Sequence, residues 1–361
     1  MRISIVGLPF SGKSTLFQAI TRTRTDPSAV AQADVHRIMI NVPDSRLSTL
    51  SSIFSPRSTT YATIELMDIV GLMRGDSPAT GFSSELLSSA RTSDALLHVV
   101  RAFVNESVPH AEGGTDILRD IAALEAEIIL SDLMILERRI EKVTKQMQKF
   151  RDENLNAELA LLQRCAAILG NGDPIRDAAF AADELHLLKG YQLLSMKPML
   201  IALNFDELQQ AVAEDEKKRV TDAKGGANTR VVSFFGRIDR EVSELPEDEA
   251  ATFRGEYGLK ESALDTLIRE AYALLGLRSF FTVGEDECRA WTIRKGMTAQ
   301  EAAGVIHSTF VGKFIRAEVV HYDDFIALGG SMAKAREAGL WRLEGKGYLV
   351  KDGDIMSVRH S

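Results

Sequence analysis

Near its start the chain carries Gly7-Leu8-Pro9-Phe10-Ser11-Gly12-Lys13-Ser14, set between a β-prone run, Arg2 to Val6, and the helically spaced Leu16, Phe17 and Ile20. The pattern is G-x-x-x-x-G-K-[ST], and it constrains the fold more than any other feature of the sequence. Its chemistry needs a buried strand to deliver a glycine-bent loop to a helix N-terminus, where successive backbone N–H groups converge on phosphate oxygens. A strand, loop and helix in this order commit the first domain to an α/β architecture. Leu8, Pro9, Phe10, Ser11, Gly12, Lys13, Ser14 and Thr15 form the expected nucleotide-binding segment. Lys13 is expected to neutralise β- and γ-phosphate charge as a catalytic group, and the Ser14 hydroxyl to bind Mg²⁺.

Further apolar runs, Tyr61 to Val70, Ala95 to Phe103 and Met199 to Leu203, alternate with helical stretches, which predicts a largely parallel sheet covered on both faces. Asp68-Ile69-Val70-Gly71 closes the first of these runs, so Asp68 is a second candidate Mg²⁺ ligand and the Gly71 N–H a γ-phosphate sensor. Leu72 stands where Ras-like proteins carry a water-orienting glutamine, so hydrolysis needs another group. After the Met199 to Leu203 run comes Asn204-Phe205-Asp206-Glu207, where guanine-specific proteins show N-K-x-D. Glu207 in place of the aspartate makes adenine a serious candidate base; guanine remains open if the Glu207 carboxylate reaches it from a shifted loop. Ser233, near the end of Val231 to Phe234, is a further candidate beside the base.

From Thr115 to about Ser195 the character changes to long amphipathic helices, one reaching Phe150 and a second running from Leu155 to Gly170, which predicts an antiparallel helical hairpin inserted in the α/β domain. Arg138, Arg139, Lys142, Lys145, Lys149 and Arg151 make a local basic stripe there, read either as a solvated helix face or as an RNA contact. Beyond Gly276, alternating residues at 288–293, a Thr298-capped helix, runs at Phe314 to Val320 and Tyr348 to Val350, and Asp352-Gly353 as a hairpin signal predict a small β-rich unit with one packed helix. The 361 residues, 45% hydrophobic, suffice for two or three domains, and a formal net charge of -8 means that nucleic acid can be met only through a local patch. Cys165 and Cys288 form no metal or disulfide pattern, and neither a signal peptide nor an apolar run of roughly 20 residues is present, so the cytoplasm is the expected compartment.

Taken together, these residues resemble the YchF group of Obg-related P-loop proteins, along most of the chain. The likeness runs through the phosphate loop, Asp68 to Leu72, Asp94 to Arg101, the helical insertion, Asn204 to Glu207 and Leu274 to Leu277. It is most specific at Ser279 to Thr282, Arg289 to Ile293 and Phe314 to Val319. The resemblance implies a P-loop domain at 1–114 and 196–277, a coiled-coil insertion at 115–195 and a ubiquitin-like β-grasp (TGS) domain at 278–361. It further implies ATP preferred over GTP through the N-x-x-E variant, Mg²⁺ as cofactor, and slow hydrolysis by a monomer that contacts ribosome or RNA through the coiled coil and the TGS domain. His110 falls near a histidine suspected in the family of helping hydrolysis, which makes it a candidate catalytic residue. The chain departs from the family at Phe10 and Ser11, where Asn and Val are usual, and lacks the first-switch stretch between Thr25 and Val42. The remaining expectation is therefore a nucleotide-clamped binding module that has lost turnover.

Overall fold

A computed structural model describes residues 1–21, 36–68, 84–105, 107–108, 110, 114–149, 152–245, 249–250, 252 and 262–361. These fall into two compact units, Met1–Ile38 with Glu65–Glu270, and Met39–Ile64 with Ala271–Ser361. Residues 39–64, which the sequence expectation placed within the first segment of a P-loop domain, group with the C-terminal part of the chain.

The first half of the chain runs through β1 (Arg2–Val6), α1 (Lys13–Thr21), β2 (His36–Asn41), α2 (Ser45–Phe54), β3 (Ser58–Thr60), β4 (Thr63–Asp68), α3 (Ser84–Arg91), β5 (Ala95–Arg101), α4 (Ile117–Met147), α5 (Glu153–Gly170) and α6 (Ala182–Lys189). It continues through β6 (Met199–Asn204), α7 (Gln210–Lys224), β7 (Thr229–Phe234), α8 (Gly236–Ser243) and α9 (Ala263–Leu274). The larger sheet has the order β2-β4-β1-β5-β6-β7, and β1/β4, β1/β5, β5/β6 and β6/β7 all pair in parallel. Every residue of β5 and β6 is buried, as expected of central strands covered on both faces. Because the strands are parallel, their C-terminal ends gather at one edge, the place where open α/β sheets bind ligands.

Helix α4 spans 31 residues. Asp116 caps it by accepting the Arg119 N–H at 3.1 Å, and its buried stripe includes Ile121, Leu124, Ile128 and Leu136. Upper residues of this stripe pack with Leu96, Val100 and Ile201 of the sheet, while Leu136 packs with Leu161, Leu162, Cys165 and Leu169 of α5. The insertion is fixed to its unit by Asp132, whose fully buried carboxylate accepts Arg91 Nη1 of α3 and the Ser195 N–H, each at 2.7 Å.

The second unit is completed by β8 (Leu277–Thr282), β9 (Glu287–Arg294), α10 (Ala299–Ile306), α11 (Thr309–Lys313), β10 (Phe314–His321), α12 (Tyr322–Ala327), α13 (Met332–Glu337), β11 (Arg342–Glu344) and β12 (Asp354–His360). Its mixed sheet has the order β11-β10-β12-β8-β9-β3. Helix α10, with Thr298 and Glu301 in a reciprocal capping box, lays Ala299, Ala302 and Ala303 against Phe280, Ile293, Phe314 and Val319. Two sequence expectations are corrected here. Tyr348 to Val350 forms no strand, only an isolated bridge from Leu349 to Thr298, and β12 pairs instead with β10 and β8. The unit also holds several helices rather than one, and its sheet gains β3, whose parallel pairing with β9 is reinforced by Thr60 Oγ1 donating to Glu287 at 2.5 Å.

Candidate functional site

The loop joining β1 to α1 sits at the C-terminal edge of the larger sheet. Gly7 takes φ 149°, Phe10 φ 61° and Gly12 φ 100°, so three of six consecutive residues are in conformations that L side chains resist. Space is equally restrictive: a Cβ on Gly7 would lie 2.3 Å from the Val99 carbonyl oxygen, and one on Gly12 would lie 2.1 Å from Asn204 Nδ2. Both glycines of the motif are thus demanded by neighbours as well as by the bend. The first intrahelical bond is Leu16 N–H to the Gly12 carbonyl at 2.9 Å, so the Ser14 and Thr15 amides lie ahead of the helical ladder, at the positive end of α1. Lys13 Nζ donates to the carbonyls of Gly7 at 3.0 Å and Leu8 at 2.7 Å, folding the ammonium over its own loop. Leu8, Pro9 and Ser11 face inward to differing degrees, while Phe10 is 58% exposed at the loop apex.

Asn204, at the end of β6, ties this loop to the next strand. Its buried amide donates from Nδ2 to the Ser11 carbonyl at 3.0 Å and accepts the Gly236 N–H on Oδ1 at 3.0 Å. A Cβ on Gly236 would come within 2.9 Å of Asn204 Oδ1, so a third glycine, which sequence reading missed, is set by the same side chain. Only its place directly after the Val231 to Phe235 run hinted at it. Phe205, in the position of the usual lysine, is buried with its ring 6.3 Å from that of Phe235. Asp206 caps a short turn, Glu207–Gln209, through the Leu208 N–H at 3.1 Å, and Gln209 Nε2 anchors that turn to the Ala102 carbonyl at 3.1 Å. Glu207 faces Arg237 at 3.8 Å. With its stronger contact to Glu241, that carboxylate holds the Arg237 guanidinium above its ordinary pKa.

Ser233 is not brought to the loop by its side chain, because its hydroxyl lies 3.4 Å from Glu214 of α7. Asp68 closes β4 in register with Ile5 of β1, one strand away from the phosphate loop, and Gly71 lies outside the described residues. Ser14 is exposed on the first turn of α1. A serine hydroxyl at the start of α1 and an aspartate at the end of β4 are oxygen-donor residue types, the chemistry Mg²⁺ prefers. Among the described residues no group of three or more His, Cys, Asp or Glu side chains forms a metal cage of its own.

A narrow crevice beside the loop, without room for a water molecule, is lined by Leu8, Pro9, Ser11, His98 to Arg101, His110 and Asp120. Here the candidate His110 meets the phosphate loop, with Nε2 3.0 Å from Asp120 Oδ2. Arg101 organises the approach to it, its guanidinium donating to the carbonyls of Phe103 at 3.3 Å, Asn105 at 3.0 Å and Val108 at 3.1 Å. Burial pushes the Arg101 guanidinium below its ordinary pKa, an effect that Asp120 opposes. His98 is completely buried, and neither of its ring nitrogens has a hydrogen-bond partner among the described residues. Desolvation, helped by the charges of Lys13 and Arg176, pushes its pKa down to about 3, so it is neutral. Sequence reading passed over Arg101, His98 and Asp120 because each sits inside an ordinary strand or helix pattern.

Comparison with known proteins adds the following. A family model described as 50S ribosome-binding GTPase matches residues 2–162, and the C-terminal model of the YchF GTPases, described as a protein of unknown function, matches residues 277–361. The ribosome-binding ATPase YchF of Bacillus subtilis is 40% identical over 359 residues, covering 98% of this chain and 98% of that protein. Obg-like ATPase 1 of Oryza sativa subsp. japonica is 33% identical over 361 residues, covering 99% of this chain and 91% of the rice protein. The solved structure of the Schizosaccharomyces pombe YchF GTPase superposes with a TM-score of 0.87 at 30% identity, covering 99% of this chain and 97% of that one.

Proposed function

The chain belongs to the YchF family, and from that premise we propose that it is a ribosome-binding P-loop NTPase that hydrolyses ATP slowly. The observation that carries this reading is the phosphate loop, with two glycines whose Cβ positions are already occupied, Lys13 folded over it, and Asn204 locking it to β6. Backbone amides of the loop and of the α1 N-terminus hold the phosphates, and Lys13 exchanges its carbonyl partners for β- and γ-phosphate oxygens, neutralising charge as the γ-phosphoryl transfers. Ser14 and Asp68 are the residues to hold Mg²⁺, which would supply further charge neutralisation on the phosphates. His110, on the wall of the crevice beside Leu8 and Pro9, takes over the orientation of the attacking water that Leu72 cannot perform.

Adenine is the base favoured by the altered loop. Guanine selectivity needs a carboxylate that accepts two N–H groups, and here Glu207 begins a helical turn and faces Arg237. The backbone of Asn204 to Glu207 and the end of β7 near Ser233 frame the base. Within the expected span 1–114 and 196–277, the nucleotide-binding domain is the part outside residues 39–64, which group with the C-terminal unit; 115–195 is the helical insertion and 278–361 a TGS-like β-grasp domain. The chain acts as a cytoplasmic monomer, and no helix among the described residues is long and apolar enough to cross a membrane.

Ribosomal RNA is met through the insertion and the C-terminal domain. Of the basic stripe, Arg139 is engaged by Glu158 at 2.7 Å and Lys145 by Glu141, which leaves exposed Arg138, Lys142 and Lys149 on one face of α4 and the turn after it as the phosphate contacts. Arg151 lies outside the described residues.

Equilibrium titration of nucleotide-free protein with ATP and GTP, each with Mg²⁺, tests the reading. Tighter ATP binding and loss of turnover in Lys13→Ala are expected. GTP preference would overturn the base assignment, and turnover unchanged by Lys13→Ala would leave a nucleotide-clamped binding module.

A further inference from the structure

Strand β10 carries a β-bulge at its start, and the bulge decides which side chains meet across the sheet. Phe314 is in register with His360 of β12 and Arg316 with Arg359, so Ile315 stands opposite nothing and is 56% exposed. Continued without the bulge, the register would set Arg316 opposite Val358 and alternate it onto the core face that Phe314 occupies. With it, Phe314, Ala317 and Val319 all pack into the core beneath α10, and Arg316 and Glu318 stand on the opposite face. The result is two arginines directly opposite one another on paired strands, an arrangement that repels.

The neighbouring carboxylate relieves only half of that repulsion. Glu318 accepts from Arg359 on one oxygen, at 3.2 Å from Nε and 3.1 Å from Nη2, and from the Trp341 indole N–H on the other, at 3.2 Å. Arg316 is exposed and pairs with no carboxylate among the described residues. Arg336 of α13 adds a third guanidinium, 5.5 Å from the centre of the Trp341 ring. Ser357 and Leu343, both in register with Glu318, extend the face as exposed side chains. Three arginines around one glutamate leave a local excess of positive charge on a chain whose formal net charge is -8. Guanidinium groups are planar and present paired N–H donors that match phosphate oxygens.

We propose that this face of the C-terminal sheet binds the sugar–phosphate backbone of RNA, with Arg316 and Arg359 as the phosphate ligands. The inference rests on the reading that the C-terminal domain meets ribosomal RNA, and it assigns that contact to particular side chains. The phosphate charge supplies what the Arg316–Arg359 pair lacks, so a juxtaposition that is unfavourable in the free chain becomes favourable in the complex. Contacts of this kind hold the backbone without reading sequence.

The test is equilibrium binding of the full chain to purified ribosomes, to protein-free ribosomal RNA and to extracted ribosomal proteins over a series of salt concentrations. Wild type is compared with Arg316→Ala, Arg359→Ala, the double variant and, in the insertion, Lys142→Glu, with melting temperatures taken on the same samples. Each arginine variant should lower the slope of log affinity against log salt concentration by about 0.7–0.9, the share of one phosphate contact. The double variant should bind ribosomes and free RNA about tenfold more weakly at about 0.1 M salt. Because Arg316 faces a like charge, Arg316→Ala should melt no lower than wild type. Absence of wild-type binding to ribosomes and to RNA overturns the reading and this inference with it. Binding weakened by Lys142→Glu but untouched in the double arginine variant overturns this inference alone. Weaker binding to ribosomes and extracted proteins with free RNA unaffected makes the occupant an acidic protein and overturns RNA. A lower melting temperature in Arg316→Ala gives that arginine a structural role and overturns the proposal as well.

Discussion

Substituting His98 by leucine tests how far the sheet beneath the phosphate loop excludes water and charge. The imidazole lies on β5, beside Val6 of β1 and Ile201 of β6 in register, is completely buried, and has no partner for either nitrogen among the described residues. Its pKa falls from 6.5 to about 3, chiefly by desolvation and then by the charges of Lys13 and Arg176. The sign follows from proton binding. In the unfolded chain the ring protonates as pH drops through 6.5, whereas in the native protein it stays neutral until about 3, so the stability it contributes is complete above 6.5 and is lost progressively below it. Between about pH 7.5 and about pH 5.5 the unfolded state gains nearly a tenfold statistical weight from this one group, which is about 1.4 kcal/mol of lost stability. His98→Leu removes that cost and replaces a buried polar ring by an apolar side chain of similar volume. The variant should match or exceed wild type near neutral pH, and its advantage should widen by about 1.4 kcal/mol on acidification over that range. Urea unfolding of both proteins at the two pH values measures the double difference, in which all other titrating groups cancel. Parallel loss of stability in the two proteins would refute the reasoning, because it would mean that the ring meets a partner or solvent in the native state.

Three further substitutions follow from the same structure. Asn204→Ala leaves the Ser11 carbonyl and the Gly236 N–H without their 3.0 Å partners. It should cost about 2–4 kcal/mol in urea unfolding and weaken ATP and GTP together; loss of one nucleotide alone would assign Asn204 to the base rather than to the loop. Asp132→Ala leaves the Arg91 guanidinium, whose side chain is 13% exposed, without its carboxylate and with only the Ser131 hydroxyl and Gln192 carbonyl, and leaves the Ser195 N–H unpaired. A loss of about 3–5 kcal/mol is expected, read as a lower melting temperature with near-native helix content by circular dichroism in the folded state; an unchanged melting temperature would show that the insertion is held by its apolar stripe alone. Phe10→Asn relieves a bulky residue at φ 61° whose ring is mostly in solvent. It should stabilise the chain by about 0.5–1 kcal/mol, and a destabilised variant would assign the ring a packing role.

Legibility in the sequence tracked the range of the interaction that gives each residue its meaning. The phosphate loop was readable because strand, glycines and helix start are contiguous, and the predicted elements appear as β1 and α1. The parallel sheet and the 31-residue helix were readable because burial imposes a period on neighbouring residues. Two basic residues of α4 look alike as letters, yet Arg139 is engaged by Glu158 of another helix while Lys142 has no such acidic partner among the described residues, a difference that depends on how α4 and α5 pack. Ser58-Thr59-Thr60 has no apolar alternation to mark it, and becomes a strand only because the Glu287–Arg289 backbone lies beside it. Ser233 stands near the end of β7, and its hydroxyl lies 3.4 Å from Glu214 of α7, a contact between elements that the strand pattern does not announce. Asp120 is the sharpest case. An aspartate in the first turn of a helix is fully accounted for by the helix dipole, so nothing in its local pattern asks for a second role. Its partners emerge only when Arg119 takes one oxygen and the chain folds back to put His110 on the other. A position that satisfies a local rule so well hides its long-range contacts, which is why such partners are harder to read from sequence than a contiguous motif.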